Sequence, residues 1–286
     1  MKKNIVIWAN CQGNAINYML NKYYKDIFNI QLYSNYKYIK NKIKLPDFMY
    51  ECDIFIYQNY SDNNNEYNLI NIFDNILSKK CIKLCFPTLH RNYLQFPFDT
   101  NNLEHKNTIN DNLPFGEFFF GIKPIIDDLK ILKANNYSNN EIKKIILDKI
   151  KDINYIKKDI IEKYENDTLI FLKNKSLTSD IPLIFNFIIN NYKIIRLYHN
   201  PNHPNGILLN ELCKEIFNKL NLIYPDEKND IEILDNILKD WKMPIFNSVI
   251  KYYNMKNVDN NCSSFYHDDI KNEETYINKY IDFLLK

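Results

Sequence analysis

Two short polar clusters hold the residue types from which a nucleophilic site is built. The first places Cys11 among the amides Asn10, Gln12 and Asn14, directly after the apolar run 5–8 (IVIW) and beside Gly13. The second, 199–206 (HNPNHPNG), brings two imidazoles, His199 and His203. A thiol attacks as its thiolate, so it gains from an imidazole that takes its proton and from a third group that fixes the ring tautomer. His203 is the better base. It is followed by Pro204 and then a helix, and Asn200 lies three residues earlier, where it could orient the ring; His199 is the rival in the same turn. A cysteine under the first turn of a helix also meets N–H groups that favour negative charge, which predicts a lowered thiol pKa and a place for an oxyanion. The alternative is that Cys11 is a small buried hydrophobe and His203 a surface histidine. Asn10, Gln12 and Asn14 weigh against that, being poor core fillers and good donors.

These groups meet only if the elements around them end at one edge of a sheet. Apolar runs at 5–8, 30–33, 52–57 and 81–86 read as strands, and the periodic segments after 13 and over 68–79 read as helices between them. Such alternation predicts an α/β, three-layer αβα fold with a mainly parallel sheet, whose ligands bind at the carboxyl ends of the strands. Gln58 and Asn59 follow the third strand and Thr88, His90 and Arg91 the fourth, so their polar groups are expected near Cys11, although Gln58 could equally begin a plain loop. A late strand over 193–198 is expected to deliver His203 to the same edge.

The run 113–125 (LPFGEFFFGIKPI) has two glycines and two prolines and cannot be a regular helix throughout; it is read as packing a loop onto the core. Helical segments at 124–133, 139–151 and 154–173, charged on one face, make 122–180 a helical insertion within one α/β domain spanning 1–286. Further helices are expected at 183–189, 207–220 and 273–285. Arginine occurs only at Arg91 and Arg196, beside the two clusters. A guanidinium binds phosphate and carboxylate through a rigid fork, so these two, with His90, are the candidate contacts for an anionic ligand, a structural ion pair being the alternative. His105, in a polar loop, and His267, beside Asp268 and Asp269, have weaker contexts.

The net charge of the 286 residues is +2, and the lysines are scattered among acids, which argues against nucleic acid as a partner. The six cysteines, Cys11, Cys52, Cys81, Cys85, Cys213 and Cys262, lack the close pairs of a zinc site and are read as reduced, with no metal. The opening MKKNIVIW is too short for a secretory apolar region, and no run approaches the roughly 20 apolar residues of a membrane span. A soluble, cytoplasmic protein is expected, with at most a peripheral association with membranes.

The strings ANCQGN (9–14), DIFIYQ (53–58) and RLYHNPNHPNGILLNELCKEIF (196–217) resemble, in this order, sequence blocks of the WcbI-type polysaccharide biosynthesis acetyltransferases, over most of the chain. The resemblance implies binding of coenzyme A and acetyl-CoA as co-substrate, and transfer of the acetyl group to a sugar hydroxyl of a capsular or surface polysaccharide precursor. Cys11 matches the motif cysteine and His203 the histidine of the HP block. Asn10, Gln12 and Gln58 would then contact the oxyanion or the substrate. Ala9 stands where the family usually has glycine. A nucleophile after the first strand and a late NxxHP string more distantly resemble the SGNH hydrolase plan, where serine and aspartate replace Cys11 and Asn200. Two other functions fit the same residues: a cysteine esterase or thioesterase, and a non-catalytic sugar or nucleotide binder in which Cys11 is structural.

Overall fold

A computed structural model describes residues 2–60, 66–89, 93–97, 121–225, 227–256, 258–264 and 267–285. Ile5, Val6, Ile7, Trp8 and Ala9 are wholly buried. That uninterrupted apolar run is what a strand covered on both faces requires. It forms β1 (Lys3–Ala9), flanked by β2 (Phe28–Ser34) and β3 (Ile54–Gln58), with β4 (Ile82–Phe86) beyond β3. The strand order is β2-β1-β3-β4 and every pairing is parallel, Ile5 facing Ile30 on one side and Ile54 on the other.

Side-chain alternation splits β1 between two apolar layers. Val6 and Trp8 pack with Phe55, Met49, Tyr67, Ile72 and Leu77, and Tyr38 and Ile39 of α2 (Asn35–Asn41) close over the same cluster. The short α3 (Leu69–Asn71), capped by Asn68, runs there into a π-helical turn, Ile72–Ile76, within the single helix expected over 68–79. Ile7, Ala9 and Leu32 face the other way, onto α1 (Gly13–Tyr24). A Cβ on Gly13 would lie 2.8 Å from Leu32 Cδ1 and 2.9 Å from Ala9 Cβ, so the start of α1 sits on the sheet at a distance only glycine allows. The result is an α/β arrangement with a parallel sheet between helical layers.

Contacts divide the chain into two compact units: Met1–His90, Phe171–Ile189 and His203–Leu238 form the first; Arg91–Ile170, Asn190–Asn202 and Lys239–Lys286 the second. The first holds the sheet, most of α7 (Leu183–Asn191), the strand β6 (His203–Pro204), α8 (Gly206–Lys219) and α9 (Lys228–Leu238). Asn205 caps α8 by accepting from Leu208 N at 3.1 Å, and a Cβ on Gly206 would meet Ile231 O at 2.1 Å, so α8 and α9 also approach through a glycine. The second unit holds α4 (Lys123–Ala134), α5 (Asn139–Lys149), most of α6 (Lys158–Ser176), the strand β5 (Tyr198–Asn200), α10 (Asn247–Tyr253) and α11 (Glu273–Leu285). Its core includes the wholly buried Ile142, Ile146, Phe246 and Tyr280, and the Tyr280 hydroxyl accepts from Ile122 N at 2.9 Å.

The late strand expected over 193–198 is absent. Ile194 N and Ile195 N both donate to Asn191 O, extending the end of α7 into a turn, and Ile194 is largely exposed. Only Tyr198–Asn200 is extended, outside the parallel sheet. Within 113–125, residues 113–120 lie outside the described residues.

Candidate active site

The strand order places the carboxyl end of β1 where the chain turns to opposite sides, toward β2 first and β3 later, and such a switch point opens a crevice for ligands. Cys11 lies two residues past β1. Gly13 N bonds Asn10 O at 3.0 Å and Asn14 N bonds Cys11 O at 3.2 Å, so the chain passes from strand to helix in one tight turn around it. Cys11 Sγ is 4.0 Å from His203 Nε2, a long approach for a sulfur hydrogen bond, and both residues are partly exposed. Apo sites often hold catalytic pairs at such loose distances.

The electrostatics of the thiol differ from the expectation. The backbone N–H groups of Cys11 and Gln12 favour the thiolate, but burial outweighs them and the pKa is pushed up to about 11. A sulfur this covered loses more hydration than two amides return. At neutral pH Cys11 is therefore a thiol that needs a base before it can attack.

The amides around it form a closed network. Gln12, wholly buried, donates Nε2 to Leu89 O at 2.8 Å and accepts at Oε1 from Leu89 N at 3.0 Å and Gln58 Nε2 at 3.1 Å. Gln58 Oε1 accepts from Asn10 N at 2.8 Å, and Asn10 Oδ1 accepts from Gln12 N at 2.9 Å. These bonds tie together the chain leaving β1, β3 and β4. Buried networks of this kind polarise one another and fix geometry.

Of the remaining sequence-predicted residues, three belong to the second unit. Asn200, in the second unit, donates Nδ2 to Trp241 O at 2.7 Å and accepts at Oδ1 from Asn202 N at 3.0 Å. His199 is buried in the same unit, its carbonyl accepting from Met243 N at 2.8 Å. Arg196, also buried there, bonds four backbone carbonyls: Tyr198 O and His199 O at 2.8 Å, Asp259 O at 3.1 Å and Met243 O at 2.5 Å. Four of the five guanidinium N–H groups are thus directed at the backbone. His90 and Arg91 lie outside the described residues, as does His105.

Tyr36 is a residue that sequence reasoning missed. Ala9 and Ser34 are partners in the parallel register, so Cys11 and Tyr36 each stand two residues beyond the same edge. Burial, then the nearby Cys11 charge, raise the Tyr36 pKa, which places the phenol within electrostatic reach of the sulfur. The signal was available in principle, because whatever follows a strand beside β1 must emerge near Cys11.

A solved structure superposes on nearly all of this frame. The fold resembles that of WcbI. The TM-score is 0.68 at 17% sequence identity, over 99% of this chain and 90% of the WcbI chain. WcbI is a polysaccharide biosynthesis enzyme, and the structure compared is its native protein without a disulfide bond between coenzyme A and a cysteine. No family model matches the chain, and no curated protein matches it in sequence. Among the described residues, none of the His, Cys, Asp and Glu side chains cluster so as to hold a metal ion, and no helix is long and apolar enough to cross a membrane.

Proposed function

We propose that this protein is a coenzyme A-dependent acetyltransferase that moves an acetyl group from acetyl-CoA to a sugar hydroxyl of a polysaccharide precursor, working in the cytoplasm. The observation that supports this reading is the 4.0 Å approach of Cys11 Sγ to His203 Nε2 at the carboxyl edge of the sheet. The WcbI-like fold adds to it, since WcbI serves polysaccharide biosynthesis and has a cysteine discussed together with coenzyme A.

In this reading His203 Nε2 takes the Cys11 proton as Sγ adds to the acetyl carbon. The bond from that carbon to the coenzyme A sulfur then breaks, and the imidazolium protonates the departing thiolate. In the second half the sugar oxygen adds to the acetyl carbon as His203 takes the hydroxyl proton, the bond from that carbon to Cys11 Sγ breaks, and the proton returns to the expelled thiolate. The raised thiol pKa makes the base indispensable. The backbone N–H of Cys11 faces the developing oxyanion, and Asn10, Gln12 and Gln58 act by holding the turn that aims it. His90 and Arg91, which follow Leu89 directly, are assigned to the coenzyme A phosphates. Arg196 and Asn200 are assigned to the backbone they already bind.

The test is intact mass spectrometry and coenzyme A release with acetyl-CoA, with and without a panel of monosaccharide and nucleotide-sugar acceptors. Expected are one acetyl group on the wild type, none on Cys11→Ala, and release accelerated by an acceptor. Fast release that no acceptor changes would identify a thioesterase and overturn the proposal, as would a wild type that neither acquires acetyl nor releases coenzyme A with any acceptor.

A further inference from the structure

Two thiols of the first unit, away from the reactive turn, are neighbours. Cys52 and Cys81 stand immediately before the two partners of the bond from Ile82 N to Asp53 O, 2.9 Å long, at the start of the β3–β4 ladder. Continued back by one residue, the Ile54–Ile82 register sets Cys81 beside Asp53, with Cys52 one residue further along the adjacent chain. Strands about 4.8 Å apart with a rise of about 3.3 Å per residue put the two Cα atoms about 6 Å apart, inside the range of about 4.4–6.8 Å that a disulfide spans. Both side chains turn into the apolar cluster around Val6 and Phe55, and their thiols are hydrogen-bonded to each other without being joined. Their surroundings differ in one respect. Cys52 is 2% exposed, whereas Cys81 keeps 7% and directly follows the exposed turn 78–80. The hydrogen bond from Cys52, and after it the Lys83 charge, hold the Cys81 thiol below its ordinary pKa against the opposing effect of burial, while the same bond and burial push Cys52 up. A cysteine with more thiolate and more surface, next to one with less of each, has the arrangement of an attacking and a resolving thiol.

We propose that Cys81 and Cys52 are a redox pair that reduces hydrogen peroxide and closes a reversible disulfide just before β3 and β4. Cys81 Sγ, as the thiolate, attacks one peroxide oxygen: the S–O bond forms, the O–O bond breaks, and the other oxygen leaves as hydroxide and takes up the proton that Cys81 had released. Cys52 Sγ then attacks the Cys81 sulfur. The S–S bond forms, the S–O bond breaks, and the second hydroxide leaves as water with the Cys52 proton. Two electrons pass from the thiols to the peroxide, and a dithiol reductant returns them. The narrow exposure of Cys81 selects a water-sized oxidant over a bulky disulfide. The link forms at the amino edge of the sheet, opposite Cys11.

The experiment is oxidation of the full wild-type chain with hydrogen peroxide, followed by digestion and peptide mass mapping. A peptide pair joined through Cys52 and Cys81 is expected, lighter by two hydrogens than the separate peptides and separated again by dithiothreitol. In Cys52→Ser, dimedone should trap Cys81 as its sulfenic acid, and in Cys81→Ser it should leave Cys52 unlabelled. The proposal is overturned if both thiols still react with iodoacetamide, after unfolding, at a peroxide dose that oxidises Cys11. A link from Cys81 to Cys85 or Cys11 in place of Cys52 overturns it as well, as does dimedone on Cys52 in the Cys81→Ser protein. The wild type alone decides the first two of these outcomes, so neither variant has to fold, and none of them depends on acetyl transfer.

Discussion

Cys11 leaves the carboxyl end of β1, whereas Cys52 and Cys81 stand just before the amino ends of β3 and β4, so one parallel sheet carries thiols at both of its edges. Cys11 is partly exposed, with an imidazole at 4.0 Å and backbone N–H groups directed at it. Cys52 and Cys81 belong to the buried cluster around Val6 and Phe55. The Cys52 thiol donates to Ile54 O at 2.9 Å, and its hydrogen bond with Cys81, together with burial, raises its pKa far above the ordinary range. Strand direction accounts for the contrast. At the carboxyl edge β1 and β2 hand over directly to the starts of α1 and α2, whose first N–H groups have no intrahelical partner; at the amino edge Cys52 and Cys81 bond each other inside an apolar cluster.

Replacing the reactive edge should have the largest effect. Cys11→Ala and His203→Ala are each expected to lower acceptor-dependent coenzyme A release by about a thousandfold, the scale of losing a nucleophile or its base, while Cys52→Ser stays within about twofold of wild type. A Cys52→Ser variant as inactive as Cys11→Ala would erase the contrast. Alkylation sharpens it without any assay of function. Iodoacetamide should label Cys11 roughly a hundredfold faster than Cys52, followed by peptide mass mapping. Because the Cys11 pKa is raised, its thiolate is scarce at neutral pH and grows with pH, so the labelling rate should climb about tenfold per unit and level only near pH 11. A plateau near pH 8 would mean that the helix N–H groups, and not burial, govern the sulfur.

Much of this frame is legible in the sequence because it rests on local rules. The four strands of the sheet are apolar runs ended by polar residues, and Cys11 stands out as a nucleophilic residue type at the first of those ends. What escaped depends on contacts distant in sequence. The sign of the Cys11 pKa shift is set by how much of the sulfur is covered, which no spacing encodes. The carbonyls of Asp259 and Met243 that Arg196 bonds lie far along the chain, so no local pattern announces them. The stretch over 193–198 has the composition of a strand, yet Asn191 draws Ile194 and Ile195 into a turn. His203 is thus presented by a short element after a turn and not by a fifth strand of the sheet.

The amide network gives a prediction on stability. Gln12→Ala would leave Leu89 N, Leu89 O and Gln58 Nε2 without their partner in a buried place, and a loss of about 2 kcal/mol or more in denaturant unfolding is expected. Cys52→Ser keeps a donor near Ile54 O and should cost less. A Gln12→Ala protein within about 0.5 kcal/mol of wild type would show that the network does not fix the reactive turn.

The smallest effect is assigned to Tyr36, and it tests whether the carboxyl edge is one site or merely the surroundings of one thiol. The Ala9–Ser34 register brings Tyr36 to the same edge as Cys11, whose charge is, after burial, the second cause of the raised phenol pKa. A neutral phenol there can hold a ligand oxygen by one hydrogen bond, a contribution of about 1 kcal/mol, or roughly fivefold in binding. Tyr36→Phe should therefore raise the acceptor KM several-fold and leave kcat and the acetylation of Cys11 nearly unchanged, because only the second substrate loses a partner. A fall in kcat with KM unchanged would instead place the phenol on the reacting atoms. No change in either would confine the acceptor's contacts to the residues following β1, β3 and β4.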